Sequence, residues 1–354
     1  SDFMELSLYH PDYGYYTNKS NIFGDRGDFI TSPITSSMFG ECISNEFINI
    51  IRSLKKPSIL ELGGGDGSLA ISIFKYLKKN KSLPDRYIIL EISDNLINYQ
   101  KERVKKEFPN DYNIFKWVTN LEDIKINGLV IANEFFDALP TERFRINNSK
   151  LETLYIESNN QSFNYIWDES SNDFSNELSR AKNNHNIDFS DGYISELNLN
   201  NSKWIKAIDK CIESGVLFVI DYGYASQEYF LHDRSDGTRV CIHKHKSNFD
   251  PLSNIGNQDI SSFVNFSHLK NLSLNTDLTV SGFLSQSSFL INLNILDIHQ
   301  SKNYGDDESL IESNKLKNIL LPNTMGELFK VLVMQKNIEI ELKSTREFNQ
   351  MHKL

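Results

Sequence analysis

The chain has 354 residues, of which 39% are hydrophobic, and it carries a formal net charge of −10. This length suits one elaborated α/β domain or two smaller ones, with enough apolar residues for a core. The charge disfavours nonspecific nucleic-acid binding and is compatible with a basic substrate, although it also serves solubility alone. Without a run of about 18 apolar residues or a basic leader, we expect neither a membrane span nor a targeting segment. The cysteines lack metal-type spacing, which indicates a reducing compartment.

The first predicted elements form an N-terminal segment, residues 1–56, that we expect to pack on the core and the cofactor. A helical pattern covers residues 36–54, with apolar side chains near one face. Strand and helix patterns then alternate, with strands at 58–62, 86–91, 115–118 and 129–133 and helices ending near 79 and 108. This alternation predicts a parallel sheet with crossover helices.

Two insertions interrupt the predicted core, which spans residues 57–354. The first, at about 147–200, is rich in Asn, Ser and Asp with interspersed aromatics, which predicts a hairpin and a polar excursion outside the sheet. A helix at 204–214 and a buried strand at 216–221 follow. We expect the second insertion, at about 223–277, to form a long ordered lid. Apolar runs at 278–284 and 328–335 complete a mostly parallel, seven-stranded α/β sheet.

The most informative stretch is ILELGGGDGSL at 59–69, where an apolar strand ends in Glu61 and opens into a turn containing Gly63, Gly65 and Gly67. Glycines at these positions let the backbone turn sharply and approach a ligand closely. The spacing is G-x-G-x-G, not the G-x-G-x-x-G of dinucleotide sites, and Asp66 occupies the place of a bound pyrophosphate. An ordinary loop is the alternative for the glycines taken alone.

Acidic residues indicate which nucleotide this turn binds. Glu61 and Asp66 suit a ligand with an ammonium group and a positive centre, as in S-adenosylmethionine. The next predicted strand ends in Glu91, where a carboxylate can accept hydrogen bonds from both ribose hydroxyls. The pattern therefore predicts S-adenosylmethionine as cofactor, and a nicotinamide-dependent dehydrogenase is the disfavoured alternative.

A second group of candidate residues follows the strand at 129–133, in the run ANEFFDALP. Because ligands bind beyond the carboxyl ends of such strands, Asn133, Glu134 and Asp137 should border the same crevice. Glu134 and Asp137 could clamp a guanidinium through charged hydrogen bonds, and one could take a proton. The alternative is that Asp137 caps a helix and the two phenylalanines lie in the core. Asp221 ends another strand, where it either binds substrate or satisfies loop amides.

The chain resembles the MidA family of class I methyltransferases in ordered blocks from near its start almost to its end. These blocks are MELSLYHPDYGYY at 4–16, GDFITSP at 27–33, FGE at 39–41, the glycine turn, LEIS at 90–93, ANEFFDALP at 132–140, IDYG at 220–223, DGT at 236–238 and DISSFVNF at 259–266. The resemblance implies a Rossmann-like class I methyltransferase fold, S-adenosylmethionine as methyl donor, and a protein arginine as acceptor in the characterised mitochondrial member.

The resemblance also implies roles for individual positions. Those for the cofactor are the methionine part at Gly63, Gly65 and Gly67, the ribose at Glu91, the adenine edge at Asn120 and Leu121, the sulfonium region at Asn133, and an approach from the N-terminal side at Thr31 and Ser32. One position departs from the family pattern. An acidic residue usually follows Pro33, and this chain has Ile34 and Thr35 there, so the acceptor could differ.

The predicted function is therefore methyl transfer from S-adenosylmethionine to a protein arginine nitrogen, with Glu134, Asp137 and Asp221 as catalytic candidates. Two alternatives stay open: a methyltransferase for a small molecule or another side chain, and a noncatalytic cofactor-binding assembly factor. The expected partner is a protein substrate, with a respiratory-complex subunit as one candidate, and neither nucleic acid nor a metal is expected. His243 and His245 lack a clear third ligand. The expected location is the cytoplasm, or the mitochondrial matrix for a eukaryotic source.

Overall fold

A computed structural model describes residues 1–18, 32–159 and 162–354, and its strands form three sheets. In chain order the strands are β1 (Ser58–Leu62), β2 (Arg86–Leu90), β3 (Phe115–Val118), β4 (Ile126–Asn133), β5 (Glu142–Asn147), β6 (Lys150–Asn159), β7 (Ser162–Glu169), β8 (Ile194–Leu197), β9 (Ile212–Tyr224), β10 (Val240–His243), β11 (Lys246–Asn248), β12 (Asp259–Ser261), β13 (Val264–Asn265), β14 (Thr279–Ser285) and β15 (Phe329–Lys336).

Helices flank these sheets and connect most of the strands. In chain order they are α1 (Asp2–Tyr9), α2 (Tyr15–Asn18), α3 (Ser32–Thr35), α4 (Ser37–Ile50), α5 (Ser68–Lys79), α6 (Asp94–Glu107), α7 (Asn172–His185), α8 (Asn201–Cys211), α9 (Ser226–Tyr229), α10 (Phe266–Ser273), α11 (Gln286–Asn292), α12 (Ile295–Gln300), α13 (Asp306–Leu320) and α14 (Met325–Leu328).

The central sheet has seven principal strands in the order β14-β15-β9-β4-β1-β2-β3, and the two-residue β13 pairs with the end of β9. Neighbours from β9 to β3 are parallel, whereas β15 runs antiparallel to both β9 and β14. This mostly parallel sheet confirms the predicted α/β class. Strand order reverses beside β1, so the carboxyl ends of β1 and β4 open onto a crevice.

The sheet is buried on both faces, as its sequence pattern indicates. All five residues of β1 are buried, which is typical of a parallel strand covered on both sides. One hydrophobic cluster joins α4 and α5 to one face of the sheet, and a second joins α8 and α10 to the other. Because α4 belongs to the first cluster, the described part of the N-terminal segment shares the core of the sheet. The division at residue 56 remains a prediction.

The two insertions contain more regular structure than their composition predicts. In the first, the β6–β7 hairpin extends a four-stranded sheet in the order β7-β6-β5-β8, and α7 supplies a separate hydrophobic cluster. The second was expected to be a long ordered lid, and β10, β11 and β12 form a three-stranded antiparallel sheet there, which the sequence did not predict. The sequence pattern of exposed strands resembles that of polar loops, because their side chains alternate between solvent and a shallow core.

Several predicted boundaries differ from the observed ones. The strand expected at 216–221 is β9, which extends from Ile212 to Tyr224, and the helix expected at 204–214 is α8, which ends at Cys211. The strand expected from 129 begins at Ile126. No helix within the described ranges is long and apolar enough to cross a bilayer.

Candidate active site

A cavity of about 470 Å³ lies beyond the carboxyl ends of β1, β2 and β4. Its walls come from the glycine turn, the loop after β4, the start of α8, and the N-terminal helices α1 to α3. The volume is in the range of sites for cofactor-sized ligands, and the position is the expected one for an open α/β sheet.

The glycine turn adopts the backbone that its sequence predicts. Gly63, Gly65 and Gly67 have φ values of +72°, +52° and +81°, a region that side chains with a Cβ rarely adopt. The Gly63 amide donates to the Leu90 carbonyl at 2.9 Å, which joins the turn to the end of β2. The turn thus exposes the backbone of Gly63 and Gly65 to the cavity.

Gln100, on α6, stabilises this turn by hydrogen bonds, and the sequence pattern predicted no role for it. Its Nε2 donates to the Gly65 carbonyl at 2.8 Å, and its Oε1 accepts a hydrogen bond from Trp117 Nε1 at 2.8 Å. A Cβ on Gly64 would lie 2.9 Å from Gln100 Nε2. It would also lie 2.6 Å from Ile89 Cγ2, so the middle glycine of the run leaves no room for a side chain unless β2 or α6 shifts.

Asp66, which the sequence suggested as a partner for a positively charged ligand, already has partners in the protein. Its carboxylate accepts the Ser68 amide at 2.9 Å, at the start of α5, and forms a 2.5 Å ion pair with Arg103. Asp66 borders the cavity, but its charge is already compensated. The charge of Asp66 is compensated by Arg103 on the next helix, α6, and the motif around Asp66 does not predict this pairing.

Glu61 and Glu91 are buried carboxyl groups on the cavity wall. Burial raises the pKa of Glu61 to about 8, although Tyr87 donates to it at 2.6 Å. Burial raises the pKa of Glu91 to about 7, opposed by hydrogen bonds from the Ile92 and Ser93 amides at 2.9 and 3.1 Å. Both amides bond Glu91 Oε1, which leaves Oε2 as the better acceptor for a ligand.

The residues assigned to the adenine edge lie beside the cavity wall. Asn120 is exposed, and its Oδ1 accepts a hydrogen bond from the Glu122 amide at 3.1 Å. Leu121 is buried in the hydrophobic cluster that also contains part of α8. Thr119, one residue earlier, is the member of this turn that lines the cavity.

Asn133 ends β4, Glu134 follows it, and both line the cavity, as predicted. Glu134 has φ of +49°, an uncommon conformation for a residue with a side chain and one that turns the chain sharply. Burial and the charge of Asp137 raise the pKa of Glu134 to about 8. Asn133 Nδ2 lies 3.3 Å from Glu134 Oε1.

Asp137 lines the cavity, whereas Asp221 lies beneath the loop after β4 that carries Asp137. Burial raises the pKa of Asp137 to about 6, opposed by a hydrogen bond from the Tyr222 hydroxyl. Asp221 Oδ2 accepts the Phe136 and Asp137 amides at 3.0 and 3.2 Å, and its Oδ1 accepts the Tyr222 amide. Asp221 is not among the described residues that line the cavity. Its contacts support the alternative in which it holds the loop.

The N-terminal approach to the cavity is visible in part. Thr31 lies outside the described residues. The Ser32 hydroxyl bonds Gln286 Oε1 at 3.1 Å, away from the cavity wall, while the Ser32 backbone hydrogen-bonds the Glu134 carboxyl group. Pro33 and Ile34 line the cavity next to it. Ile34 therefore places an apolar side chain at the cavity wall, close to where the family resemblance predicts an acidic one.

The structure also brings residues to the cavity that sequence reasoning left without a role. Tyr9, Tyr16 and Asp259 lie in two of the blocks shared with the MidA family, which was the available signal. Trp204, near the start of α8, packs edge-on against Phe135 with ring centroids 4.8 Å apart. Nothing in the local pattern distinguished Trp204 from a core residue.

The charge of the cavity wall has one sign among the described residues. Seven carboxyl side chains line it and no Lys, Arg or His does; the acids are Glu5, Glu61, Asp66, Glu91, Glu134, Asp137 and Asp259. Asp66 is already paired with Arg103, and burial raises the pKa of Glu61 and Glu134 to about 8, so an entering cation would favour the charged forms of these buried acids. The ranges described contain no cluster of three or more His, Cys, Asp or Glu residues able to hold a metal, and His243 Nδ1 lies 2.7 Å from the Asn257 carbonyl oxygen.

Comparisons with known proteins agree with this geometry. The Methyltransf_28 model, which describes an S-adenosyl-L-methionine-dependent methyltransferase family, matches residues 42–284. A COG1565 superfamily member from Burkholderia thailandensis, solved with S-adenosyl-homocysteine bound, is similar with a TM-score of 0.93 and 26% identity, covering 100% of this chain and 91% of that one. The chain belongs to the MidA family of S-adenosylmethionine-dependent methyltransferases. S-adenosylmethionine is its cofactor.

Curated relatives of this MidA-family chain are named as protein arginine methyltransferases. The Drosophila melanogaster NDUFAF7 homolog, mitochondrial, is 28% identical over 301 residues, which are 77% of this chain and 65% of that protein. Danio rerio NDUFAF7, mitochondrial, is 26% identical over 377 residues, covering 93% of this chain and 81% of that protein. The chain thus spans between 65% and 81% of the length of these two relatives.

Proposed function

We propose that this MidA-family protein transfers the methyl group of S-adenosylmethionine to a side-chain nitrogen of a protein arginine. The observation that carries the proposal is the cavity wall of seven carboxyl groups without a basic side chain among the described residues. A sulfonium cofactor and a guanidinium acceptor are both cations, and this wall suits both. The names of the curated relatives support the same acceptor.

The cofactor half of the cavity consists of the glycine turn, Glu91 and Asn133. We assign the amino-acid part of the cofactor to the backbone around Gly63 and Gly65, with Gly67 setting the start of α5, and the ribose to Glu91 Oε2. Thr119 is better placed than Asn120 or Leu121 for the adenine edge. Thr31 and Ser32 keep their proposed place on the N-terminal side, with Ser32 acting through its backbone bond to Glu134.

The acceptor half is proposed to lie at Glu134 and Asp137. S-adenosylmethionine supplies a methyl carbon on a sulfonium, which the acceptor nitrogen attacks in line as the carbon–sulfur bond breaks. A guanidinium has a very high pKa, so its proton leaves during or after attack. Glu134 can take that proton from its ionised form, which the entering cation favours, and burial makes that carboxylate a stronger base by raising its pKa to about 8. Asp221 fixes the loop that carries both acids.

Ile34 favours a second candidate function, methyl transfer to a small molecule or to another side chain. Its apolar side chain lines the cavity at the position where the family pattern has an acid. Fewer charges at this wall weaken the selection for a guanidinium. A noncatalytic role in assembly, using the same cofactor site, is the third candidate that the experiment below separates.

A protein substrate is the proposed partner, with a respiratory-complex subunit as the candidate implied by the family resemblance. The proposed location is the cytoplasm for a bacterial source and the mitochondrial matrix for a eukaryotic one. The word mitochondrial in the names of the curated relatives supports the second of these.

The test uses S-adenosylmethionine carrying a radioactive methyl group, the full chain, and a protein extract of the organism that encodes it. After incubation, acid hydrolysis and chromatography identify the labelled product. The Gly65→Val variant controls for label transferred by other enzymes in the extract. Label above that control in methylarginine supports the proposal. Label above that control in another residue or in a small molecule supports the second candidate, and cofactor binding without any label above that control supports the assembly role.

A further inference from the structure

One side of the acceptor cavity is built from segments far apart in the chain. Tyr9 ends α1, Tyr16 lies in α2, and Asp259 begins β12. All three line the same cavity as the glycine turn. The roles assigned so far to Glu134 and Asp137 do not use this side.

The two tyrosine rings form a fixed aromatic wall. Their centroids are 5.6 Å apart and their planes differ by 17°, so they stack. The Tyr9 hydroxyl donates to the Ala138 carbonyl at 2.8 Å, directly after Asp137. The Tyr16 hydroxyl donates to Asp259 Oδ1 at 2.7 Å. Both rings are therefore held at their outer ends by the body of the protein.

Asp259 is a buried acid without a basic partner among the hydrogen bonds and ion pairs described for it. Its side chain receives hydrogen bonds from Tyr16 and Ser261, and β12 pairs with β10, which fixes its backbone. Glu134, Asp137 and Asp259 line the same cavity, and burial together with the charges of the two aspartates raises the pKa of Glu134. A buried carboxylate that faces a cavity without a cation of its own is stabilised when a cationic ligand enters.

We propose that Asp259 and the stacked pair Tyr9–Tyr16 form an acceptor subsite that selects a guanidinium over an ammonium ion. This inference rests on the proposed function, because it assigns the acceptor specificity of the same cavity. A guanidinium is planar, stacks on aromatic faces and offers five donors to several acceptors at once. An ammonium ion is a compact, strongly hydrated charge that uses such a wall less well.

The experiment measures binding of small probes to the full chain saturated with S-adenosylhomocysteine, by ligand-observed NMR titration. The probes are the Nα-acetyl methylamides of arginine, lysine and citrulline; citrulline keeps the shape of arginine without its charge. We expect the arginine probe to bind about tenfold or more tightly than citrulline, since paired charged hydrogen bonds differ from neutral ones by about 1.4 kcal/mol or more. It should also bind more tightly than lysine, whose hydrated ammonium ion neither stacks on the rings nor donates in a planar fork.

Three variants test which side chains produce the preference for the arginine probe. Asp259→Asn should weaken arginine binding by about tenfold and leave S-adenosylhomocysteine affinity within about twofold. Tyr16→Phe keeps the ring and removes the hydroxyl that positions Asp259, so a loss of about threefold is expected. Tyr9→Leu should reduce the preference for arginine over lysine. Asp233→Asn, at an exposed loop acid, is the matched control.

The outcomes separate this inference from the proposed function. If the parent binds S-adenosylhomocysteine but not the arginine probe, the arginine function is wrong and the subsite with it. If the parent binds the probe and Asp259→Asn binds it equally well, the subsite is overturned while the arginine function stands. Should Asp259→Asn lose S-adenosylhomocysteine through misfolding, Tyr16→Phe decides: weaker arginine binding supports the subsite, and unchanged binding overturns it.

Discussion

Glu91→Gln tests the cofactor site with little change in shape. In the parent, Glu91 Oε1 accepts the Ile92 and Ser93 amides, and Gln100 Nε2 approaches Oε2 at only 3.4 Å. A glutamine can keep the first two bonds through its own oxygen. Its amide nitrogen then replaces Oε2, which removes the charged acceptor that we assign to the ribose hydroxyls.

The expected magnitude follows from those two hydroxyls. A hydrogen bond to a charged group contributes about 1.5–3 kcal/mol, and the new amide recovers part of the loss by donating to a ribose oxygen. A net loss of about 2–3 kcal/mol corresponds to about 30- to 150-fold weaker binding of S-adenosylmethionine. The pKa of Glu91 is raised to about 7 by burial, so the carboxyl group is protonated below that pH and accepts less well. The parent's advantage should therefore shrink as the pH falls through 7.

Isothermal titration calorimetry of parent and variant at several pH values measures both effects. The ratio of the two dissociation constants removes the cofactor's own titration, which is common to both proteins. Glu107→Gln, at an exposed position on α6, is the matched control and should bind like the parent. A ratio close to one at every pH, in a variant with the parent's circular dichroism spectrum, would refute the assignment of the ribose to Glu91.

Two further predictions concern the same strand ends. Gly65→Val should abolish detectable cofactor binding in calorimetry, because φ of +52° disfavours valine by about 1–2 kcal/mol and the added side chain stands where the ligand approaches. The control Gly305→Val, with open space around it, should bind the cofactor normally. Equal affinities of the two variants would contradict the backbone role of the turn. Glu61→Gln should flatten the pH dependence of stability. Burial raises the pKa of Glu61 to about 8 in the folded protein, above its value in the unfolded chain. Between these two values the unfolded chain loses the proton and the folded protein keeps it, so the free energy of unfolding falls by about 1.4 kcal/mol per pH unit. Urea unfolding at pH 5.5, 6.5 and 7.5 measures the free energy of unfolding of parent and variant. If it changes equally with pH in both proteins, the prediction is wrong.

The core and the cofactor chemistry were largely predictable from sequence. The apolar runs of β1 and β4 are continuous because both faces of the sheet are covered, and this makes them visible without a structure. The glycine spacing was informative because Gly63, Gly65 and Gly67 are required by local backbone geometry. The small β10–β12 sheet was missed, since its strands have only three or four residues each and most residues of β10 and β11 are not buried, so their pattern does not differ from that of a loop.

Side-chain partners from distant segments limited what the sequence could predict about the site. Asp66 was expected to face the ligand, but Arg103 on the next helix compensates its charge. The function of Asp221 was left open between substrate binding and loop support, and the observed amide contacts favour loop support. Neither result depends on residues close in sequence, because both are decided by how α6 and the loop after β4 pack.

The sequence by itself determined the fold class, the glycine turn, the acidic strand ends and the family, because each depends on local backbone preferences or on ordered blocks along the chain. The tertiary structure alone decided which acids share one cavity and which are compensated. It brought Tyr9, Tyr16 and Asp259 together with Glu134, across more than 240 residues of sequence between Tyr16 and Asp259. Electrostatic interactions depend on distance and burial in the folded molecule, and neither quantity is encoded by any short stretch of the chain.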